Sequence, residues 1–324
     1  MPDMPYQKAV LLGAGGFIGV HLARALTSTG IEVVCFDRVQ STEWPENAKV
    51  IVGDFNAVPD ALLAEMENAM VFHLISISRP SPSTQHAADE IVNDVAGTLR
   101  YLEATRGCNL RWIYFSSGGT VYGQNDADVI IETSATDPIS TYGIVKLTLE
   151  RYFSLYHKLH QTDYVVVRPA NPYGPGQSPF RGQGLIAALL HKALKKEGVE
   201  IWGDGENVRD YIYILDLVEG VLAAAVAGQS GEIYNIGTGQ GYSINQLISS
   251  IKSALGCDLK VTYAPARSVD VRRNVLSIAK LTAHSGWQPQ TSLAEGAMLT
   301  ANWINEAFGT SPDVSTNKNK GIIE

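Results

Sequence analysis

The chain has 324 residues, of which 45% are hydrophobic and 18% charged, and its formal net charge is −8 at pH 7. These proportions are typical of a globular protein with one large domain or two smaller lobes. The acidic balance disfavours nucleic acid and anionic membranes as partners, because both repel negative charge. No stretch reaches the roughly 18 uninterrupted apolar residues of a membrane span. The three cysteines lack disulfide or metal-binding spacing, so we expect a cytoplasmic protein without a metal site.

In the first half of the chain, short apolar runs alternate with segments of helical spacing. The runs that predict strands are Lys8–Leu12, Ile31–Asp37, Val50–Asp54, Met70–Leu74, Leu110–Ser116 and Val165–Pro169. Helical spacing lies between them, for example from Val20 to Ser28 and from Glu90 to Thr105. Strands that alternate with helices indicate an α/β fold with a doubly wound parallel sheet of the Rossmann type.

The first predicted strand leads into a glycine turn with the spacing Gly13-x-x-Gly16-x-x-Gly19. Glycines between a strand and a helix let the backbone approach a pyrophosphate, and the helix N-terminus offers free amides to it. Asp37 ends the second strand, where a carboxylate accepts hydrogen bonds from ribose hydroxyls and repels a 2′-phosphate. This unit predicts NAD as the cofactor in preference to NADP. Asp54, after the third strand, is a candidate adenine contact.

Tyr142 and Lys146 stand four residues apart on a predicted helix, so both side chains lie on one face. An unperturbed tyrosine has a pKa near 10, and ionising it at pH 7 requires about 4 kcal/mol. A positive charge about 4 Å away at an effective dielectric constant near 20 is worth roughly that much. Lys146 and a cationic nicotinamide ring together therefore predict Tyr142 as a catalytic base.

After Pro169 the turn-rich loop Asn171–Gln177 is of the kind that leaves a sheet to build a second lobe. Leu185–Lys196 has helical spacing, Val208–Leu217 is expected to return toward the sheet, and Gly241–Phe308 to be mostly helix with short strands. We therefore predict an NAD-binding domain of residues 1–170 plus about 208–240 and a smaller C-terminal substrate-binding lobe of about 171–207 plus 241–308. The polar tail 309–324 is expected to be disordered.

With these residues the sequence resembles the extended short-chain dehydrogenase/reductase family, and within it the nucleotide-sugar 4-epimerases of the UDP-glucose 4-epimerase type. The likeness extends to about Trp303. The further motifs that carry it are Ser116–Gly123, Arg168–Pro175, Gly203–Tyr211, and Arg267-x-x-Asp270-Val271 before Gly286-Trp287. The resemblance implies an NAD domain, a lobe that clamps a nucleoside diphosphate sugar, and a homodimer formed through helices flanking the Tyr142 segment.

The resemblance also assigns roles to individual residues. The glycine turn, Asp37 and Asp54 are implied cofactor contacts. The further implied cofactor contacts are Phe17, Ile18, Phe55, Leu74, Asn93, Tyr142, Lys146 and Pro169. The implied substrate contacts are Thr120, Tyr142, Asn171, Gln183, Arg209, Arg267, Asp270 and Asn274. Arginine suits the diphosphate because its planar fork engages phosphate oxygens in pairs. Asn274 is expected beside C2 of the sugar, where a small residue admits N-acetyl groups.

The reaction is inferred from what stands at Gly119 and Thr120. Related dehydratases carry Asp-Glu there, and decarboxylases carry Glu at the second position; without that carboxylate neither elimination has a proton carrier. The resemblance implies 4-epimerisation of UDP-glucose and UDP-galactose, with tolerance of their N-acetyl forms. Tyr142 takes the C4 hydroxyl proton directly or through Thr120 or Ser117, and the 4-keto sugar turns over before the same hydride returns. Gly118 stands where many 4-epimerases have a relaying serine.

Three other interpretations stay open on the sequence. A 4-keto-sugar reductase uses the same residues but exchanges NADH with solvent. A UDP-uronic acid 4-epimerase needs a partner for the carboxylate, and Arg181 lies in the substrate loop. A catalytically silent NAD-binding module holds NAD without altering a sugar nucleotide, although the intact Tyr142 and Lys146 speak against it.

Overall fold

The structure is a computed structural model that describes residues 5–77, 86–125, 127–180, 184–265 and 271–309. Gln183, Arg267 and Asp270 of the predicted substrate site lie outside the described residues, as does Arg181. The same holds for the predicted tail beyond Gly309.

The first half of the chain alternates strands and helices, as predicted. Its strands are β1 Lys8–Leu12, β2 Glu32–Asp37, β3 Lys49–Val52, β4 Ala69–His73, β5 Leu110–Phe115 and β6 Asp163–Pro169. Its helices are α1 Phe17–Ser28, α2 Asp60–Met66, α3 Ala87–Glu90, α4 Gly97–Ala104 and α5 Thr141–His160. Most predicted bounds agree within one to three residues, since each strand has a mainly apolar centre flanked by polar residues or glycines.

The second half of the chain has shorter strands. They are β7 Asn171–Tyr173, β8 Val199–Trp202, β9 Val208–Tyr213, β10 Glu232–Ile236, β11 Gly241–Ser243, β12 Val261–Ala264 and β13 Arg273–Asn274. The helices between and after them are α6 Leu185–Leu194, α7 Ile214–Ala227, α8 Ile244–Leu255, α9 Ala279–Ser285 and α10 Leu293–Phe308.

A seven-stranded sheet in the order β10-β6-β5-β4-β1-β2-β3 forms the centre of the larger lobe, and all its neighbours pair in parallel. Helices cover both faces, because successive side chains of a strand point to opposite sides. In β1, Ala9 and Leu11 pack in the core with α1 and α7, whereas Val10 and Leu12 pack in the core with α2, α4 and α5. The fold is the predicted doubly wound α/β sheet.

Strand β9 departs from the expected return to the main sheet. It pairs with β7, β11 and β13 in a separate small sheet, and β8 pairs with β12 in another. The chain returns only through α7 and β10, which lies beside β6. An apolar run predicts a strand but carries no information about its pairing partner, and so the expectation for Val208–Tyr213 was wrong. The predicted domain boundaries stay a prediction.

The predicted helix Glu90–Thr105 is part of one helical run from Ala87 to Ala104 whose middle, Ile91–Ala96, is π-helical. Such widened turns inside α-helices occur frequently at functional sites. Asp94 and Val95 of this segment are buried. Across the described residues, every helix is too short or too polar to traverse a bilayer.

Candidate active site

The glycine turn closes tightly between β1 and α1. The amides of Gly13 and Ala14 both donate to Phe36 O, at 2.9 and 3.1 Å, and Gly13 has a φ of +93°. A Cβ added at Gly19 would lie 2.4 Å from Gly13 O, so that only glycine lets the helix pass this close to the turn. Gly16 caps α1 without a side-chain bond, which leaves the first amides of the helix available to an anion.

Asp37 stands at the end of β2 beside this turn. Its Oδ2 accepts from the Gly15 amide at 3.0 Å and its Oδ1 from the Arg38 amide at 2.7 Å. Each carboxylate oxygen keeps a further lone pair for a ribose hydroxyl. A turn of glycine and alanine and an oriented acid next to it fit NAD, as predicted from the sequence.

A cavity of about 260 Å³ extends from the turn past Asp37 and is lined by Asp54, Phe55 and Asn93 as well. Asp54 accepts from the Asn56 amide at 3.0 Å. Asn93 accepts from Asn56 Nδ2 at 3.0 Å and donates to the Asp89 carbonyl at 2.7 Å. These bonds hold Asn93 at the wall of the cavity, in keeping with a structural contact on the cofactor side.

The main cavity has a volume of about 440 Å³ and continues from the same glycine turn to α5. The predicted site residues that line it are Gly13, Gly16, Phe17, Ile18, Gly19, Leu74, Ser117, Thr120, Tyr142, Lys146, Pro169 and Asn171. Sequence reasoning missed Ser76, Tyr173, Gln177 and Tyr211, which line it too. Tyr173 and Gln177 belong to the segment that was expected to start the second lobe. The turn-rich sequence of that segment was the feature from which they could have been predicted as site residues.

Tyr142 and Lys146 lie on the first turns of α5 and face the cavity. Lys146 is only 3% exposed, and its Nζ lies 5.5 Å from the ring centroid of Tyr142 and 5.4 Å from that of Tyr114. Burial lowers the pKa of Lys146 to about 8, whereas the charge of Asp94 acts in the opposite direction. At neutral pH the ammonium is therefore retained and lies beside the phenol.

The phenol of Tyr142 is hydrogen-bonded to Ser117. Burial raises the pKa of Tyr142 to about 12, and the Ser117 bond lowers it in part. Burial is the larger effect, because removing a charged form from water is costly. Bringing the phenol to a useful pKa thus requires a further positive charge close by, the role predicted for the nicotinamide ring.

Gly118 stands at a crowded position between the two hydroxyl residues of this turn. A Cβ at Gly118 would lie 2.4 Å from Leu276 Cδ1 and 2.9 Å from the Arg168 carbonyl oxygen, so a side chain has no room there. Ser117 instead supplies the hydroxyl at Tyr142. Thr120 Oγ1 is buried and has no hydrogen-bond partner among the described residues, although Thr120 lines the cavity. A buried hydroxyl of this kind is suited to a substrate oxygen.

Asn171 reaches the cavity from β7, and its Nδ2 donates to the Asp210 carbonyl at 2.9 Å. That bond fixes the amide, because the opposite orientation would place two oxygens together. Arg209 and Asn274 pair across β9 and β13, but neither is among the described residues that line the main cavity. Asn274 is 1% exposed and its Nδ2 donates to the Gly118 carbonyl at 3.0 Å.

A buried ion pair anchors the helix that carries the tyrosine. Arg168 on β6 donates to both carboxylate oxygens of Glu150 on α5, at 2.9 and 2.6 Å. Ser116 also donates to Glu150, and Tyr122 accepts from Arg168 Nη1 at 2.8 Å. Arg168 and Glu150 are 2% and 4% exposed. This pair was not predicted, and a lone arginine in an apolar strand was the only hint in the sequence.

Comparisons with known proteins agree with this geometry. Residues 9–237 match the NAD dependent epimerase/dehydratase family. The UDP-glucose 4-epimerase of Mycolicibacterium smegmatis is 32% identical over 307 residues, covering 92% of this chain and 98% of that protein. Among solved structures, the UDP-glucose 4-epimerase of Thermotoga maritima with UDP-glucose superposes with a TM-score of 0.86 at 32% identity, covering 93% of this chain and 99% of that one.

The UDP-glucuronic acid 4-epimerase of Bacillus cereus, in complex with UDP-glucuronic acid and NAD, superposes with a TM-score of 0.84 at 27% identity. It covers 93% of this chain and 100% of that one. The family match spans the whole larger lobe, and the resemblance inferred from the sequence motifs is confirmed. The chain belongs to the NAD dependent epimerase/dehydratase family, among the nucleotide-sugar 4-epimerases of the extended short-chain dehydrogenases/reductases.

Proposed function

We propose that the protein is an NAD-dependent 4-epimerase of a nucleoside diphosphate hexose, with UDP-glucose and UDP-galactose as its substrates. The observation that carries the proposal is that Tyr142, Ser117 and buried Lys146 line one cavity together with the glycine turn. Relatives that are UDP-glucose 4-epimerases support the choice of nucleotide and sugar.

In the proposed cycle Tyr142 accepts the proton of the C4 hydroxyl, and Ser117 stabilises the phenolate by its hydrogen bond. Thr120 holds the sugar oxygen through its otherwise unpartnered hydroxyl. Bound NAD supplies the capacity to accept a hydride from C4 and to give it back. Tyr142 then returns the proton to the new C4 oxygen after the 4-keto sugar has turned over. Lys146 remains protonated throughout and lowers the cost of the phenolate.

The composition of the main cavity's wall favours this reaction over elimination. Its described lining residues include no aspartate or glutamate, so no carboxylate is placed to carry a proton to or from the sugar. Dehydration and decarboxylation need such a group. Among the same residues, Lys146 is the single charged side chain. A hexose with neutral hydroxyls suits that wall.

The test is turnover without added cofactor. The purified protein is incubated with UDP-galactose, and separately with UDP-N-acetylgalactosamine, and products are followed by proton NMR. Conversion to the gluco partner supports the proposal, and the ratio of the two rates tests whether N-acetyl groups are admitted. A folded, NAD-loaded protein that converts neither substrate would overturn it.

A UDP-uronic acid 4-epimerase is the second candidate, favoured by the Bacillus cereus neighbour. The same assay with UDP-glucuronic acid separates the two candidates, because both share the chemistry at C4 and differ only at C6. Faster turnover of the uronate than of UDP-galactose would transfer the proposal to this substrate. A 4-keto-sugar reductase would instead consume added NADH only when a 4-keto sugar nucleotide is supplied, and would not epimerise either substrate.

The proposal extends to the oligomeric state of the protein and to its location in the cell. Three apolar side chains of α5 are exposed, those of Ile144, Leu155 and Leu159. Ile144 and Leu155 are about three helical turns apart, and Leu155 and Leu159 about one turn, so all three lie near one face of the helix. Ile91 and Val92 of the π-helical segment, which packs beside α5, are more than half exposed as well. We propose that this surface forms a homodimer. The unpaired cysteines support the predicted cytoplasmic location.

A further inference from the structure

A short segment after β7 joins the wall of the main cavity to the helix that follows the glycine turn. We call residues Gly174–Gln177 the bridging segment. Gln177 at its end lines the cavity, as does Tyr173 just before it. Pro175 and Gly176, in the middle of the segment, are not among the described residues that line the cavity. They lie against α1 instead.

The contact on the side of α1 is a histidine that the mechanism does not use. Nε2 of His21 lies 2.8 Å from the carbonyl oxygen of Pro175. A carbonyl oxygen only accepts hydrogen bonds, so this ring nitrogen must carry a proton and donate it. Burial lowers the pKa of His21 below its usual value, so the ring is neutral at physiological pH. His21 and Pro175 are 154 positions apart in the chain, so the bond joins two distant elements.

Gly176 lets the bridging segment approach α1 closely. Its φ is +90°, and an added Cβ would lie 3.4 Å from His21 Nε2 and 3.6 Å from Phe17 Cδ2. Phe17 lines the main cavity and stands one helical turn before His21, with the two ring centroids 5.7 Å apart in an edge-on arrangement. His21 therefore packs between the bridging segment and a residue of the cavity wall, although it is not itself among the described lining residues.

The bridging segment is held together by its own hydrogen bonds. The Gln177 amide donates to the Gly174 carbonyl at 3.2 Å, and Gln177 Nε2 donates to the Pro172 carbonyl at 2.9 Å. On the side away from α1, a Cβ at Gly174 would lie 2.4 Å from Ile214 Cγ2 at the start of α7. Because the segment is this compact, a bond at Pro175 also fixes Gln177 in the cavity wall.

We propose that His21 is a positioning residue that ties the bridging segment to α1 and thereby slows the release of NAD. The glycine turn and the first amides of α1 form the site for the pyrophosphate. The bridging segment carries another part of the wall of the same cavity, and a ligand between two walls leaves faster when they can separate. The His21 bond resists that separation. The inference goes beyond the proposed reaction, since it rests on the cofactor and not on which sugar is converted.

The experiment compares NAD-loaded proteins that carry His21→Phe and His157→Phe, since phenylalanine keeps a ring but cannot donate. His157 is the matched control. Its Nδ1 lies 2.9 Å from the Thr162 carbonyl oxygen, and its ring is edge-on to Tyr164 at 5.6 Å between centroids. His157 is not among the described residues that line either cavity. Each protein is loaded with radiolabelled NAD, and loss of the label is followed during a chase with a large excess of unlabelled NAD.

Loss of one neutral hydrogen bond should raise the rate of NAD release about threefold to tenfold in His21→Phe. His157→Phe should release NAD at the rate of the unaltered protein. An unchanged rate in His21→Phe, or an equal rise in both variants, would overturn the proposal. Because no sugar is turned over in this measurement, failure of the proposed function and failure of this inference are distinguishable.

A conservative variant separates the hydrogen bond from the packing of the ring. His21→Gln replaces the imidazole by an amide whose nitrogen can donate to the Pro175 carbonyl. We expect NAD release in His21→Gln to be slower than in His21→Phe and close to that of the unaltered protein. Release as fast as in His21→Phe would contradict a role for the donated hydrogen bond.

A change on the other side of the contact covers the case in which His21→Phe does not fold. Alanine is strained at the φ of Gly176, and its Cβ would meet His21, so Gly176→Ala should move the bridging segment away from α1. Gly30→Ala is the control, because Gly30 has a φ of +83° but no atom within 4 Å of an added Cβ. Gly176→Ala should release NAD faster than Gly30→Ala, and equal release from the two variants would overturn the proposal.

Discussion

Ser117 and Thr120 are three residues apart, yet their hydroxyls have different surroundings. Ser117 is bonded to Tyr142 and lowers the pKa of its phenol, whereas Thr120 Oγ1 has no described partner. The sequence named both hydroxyls as candidates to relay the proton from the sugar to Tyr142, but their surroundings assign them different roles. Ser117 acts on the base, and Thr120 is available to the substrate.

We predict that Ser117→Ala lowers kcat by about 10²-fold, within the range of a lost general-base contribution. Loss of the bond raises the pKa of Tyr142, so the acid limb of the pH–rate profile should move to higher pH. Thr120→Val should lower turnover without moving that limb. A Ser117→Ala enzyme with an unshifted profile would show that the serine does not tune the tyrosine.

Gly118 and its neighbour Gly119 form a matched pair at the same turn. A Cβ at Gly118 meets Leu276 Cδ1 at 2.4 Å, whereas one at Gly119 meets only Asn171 Oδ1 at 3.7 Å and Ser117 Oγ at 4.0 Å. Gly118→Ala should lower the free energy of unfolding by about 1–3 kcal/mol, the usual cost of overpacking. Gly119→Ala should leave stability unchanged in urea denaturation. Equal stabilities of the two variants would contradict the packing described here.

At the scale of elements, the site depends on how α5 is fixed to the sheet. The bidentate pair of Arg168 and Glu150 joins β6 to α5 two turns beyond Tyr142, and both side chains are almost fully buried. A buried pair contributes little net stability relative to apolar residues, but losing one partner leaves an uncompensated charge. Its contribution is thus to hold the helix in one register.

We expect Glu150→Gln to lower the free energy of unfolding by about 3–5 kcal/mol, because Arg168 is left unpaired in the core. The double variant Glu150→Gln with Arg168→Met removes both charges and should recover part of that loss. Urea denaturation followed by circular dichroism gives both values. A double variant less stable than the single one would mean that the pair itself is the source of stability.

The elements also show which parts of the site a sequence can predict. The glycine turn and the Tyr142–Lys146 pair were recognisable because each is a short motif with a fixed spacing along the chain. Glu150 and Arg168 lie 18 positions apart and were not foreseen, since their pairing depends on how α5 packs on β6. The misplaced pairing of β9 has the same origin, because a strand sequence does not specify its neighbour.

For the whole molecule, the proposed dimer surface extends along α5 and the π-helical segment. Leu155 and Leu159 are 44% and 65% exposed, and burying such side chains is worth about 1.5–3 kcal/mol each. We predict a dimer in sedimentation equilibrium and a monomer for Leu155→Glu with Leu159→Glu. Val39→Glu is the control, since Val39 is 74% exposed but lies outside this surface. An unaltered protein that sediments as a monomer would contradict the dimer.

The placement of the cavity is a property of the whole sheet. In the seven-stranded sheet, β2 and β3 lie on one side of β1, and β4 and the later strands lie on its other side, so the strand order reverses between β1 and β4. The glycine turn lies at the carboxyl end of β1. Open α/β sheets bind ligands in the crevice at this point. The fold class and this location were predictable from alternating strands and helices. Asn171 of β7 was predicted as well, but Tyr173 and Gln177 were not, because their position at the cavity depends on contacts between the two halves of the chain.

The central claim is reversible removal of hydrogen from C4 of the sugar, and its most direct test traces that hydrogen. UDP-[4-²H]galactose is incubated with the purified protein in the absence of added NAD, and the product is analysed by deuterium and proton NMR. The account predicts UDP-glucose that retains deuterium at C4, with no label in the solvent. UDP-glucose carrying protium at C4, or no UDP-glucose from a folded and NAD-loaded protein, would contradict it.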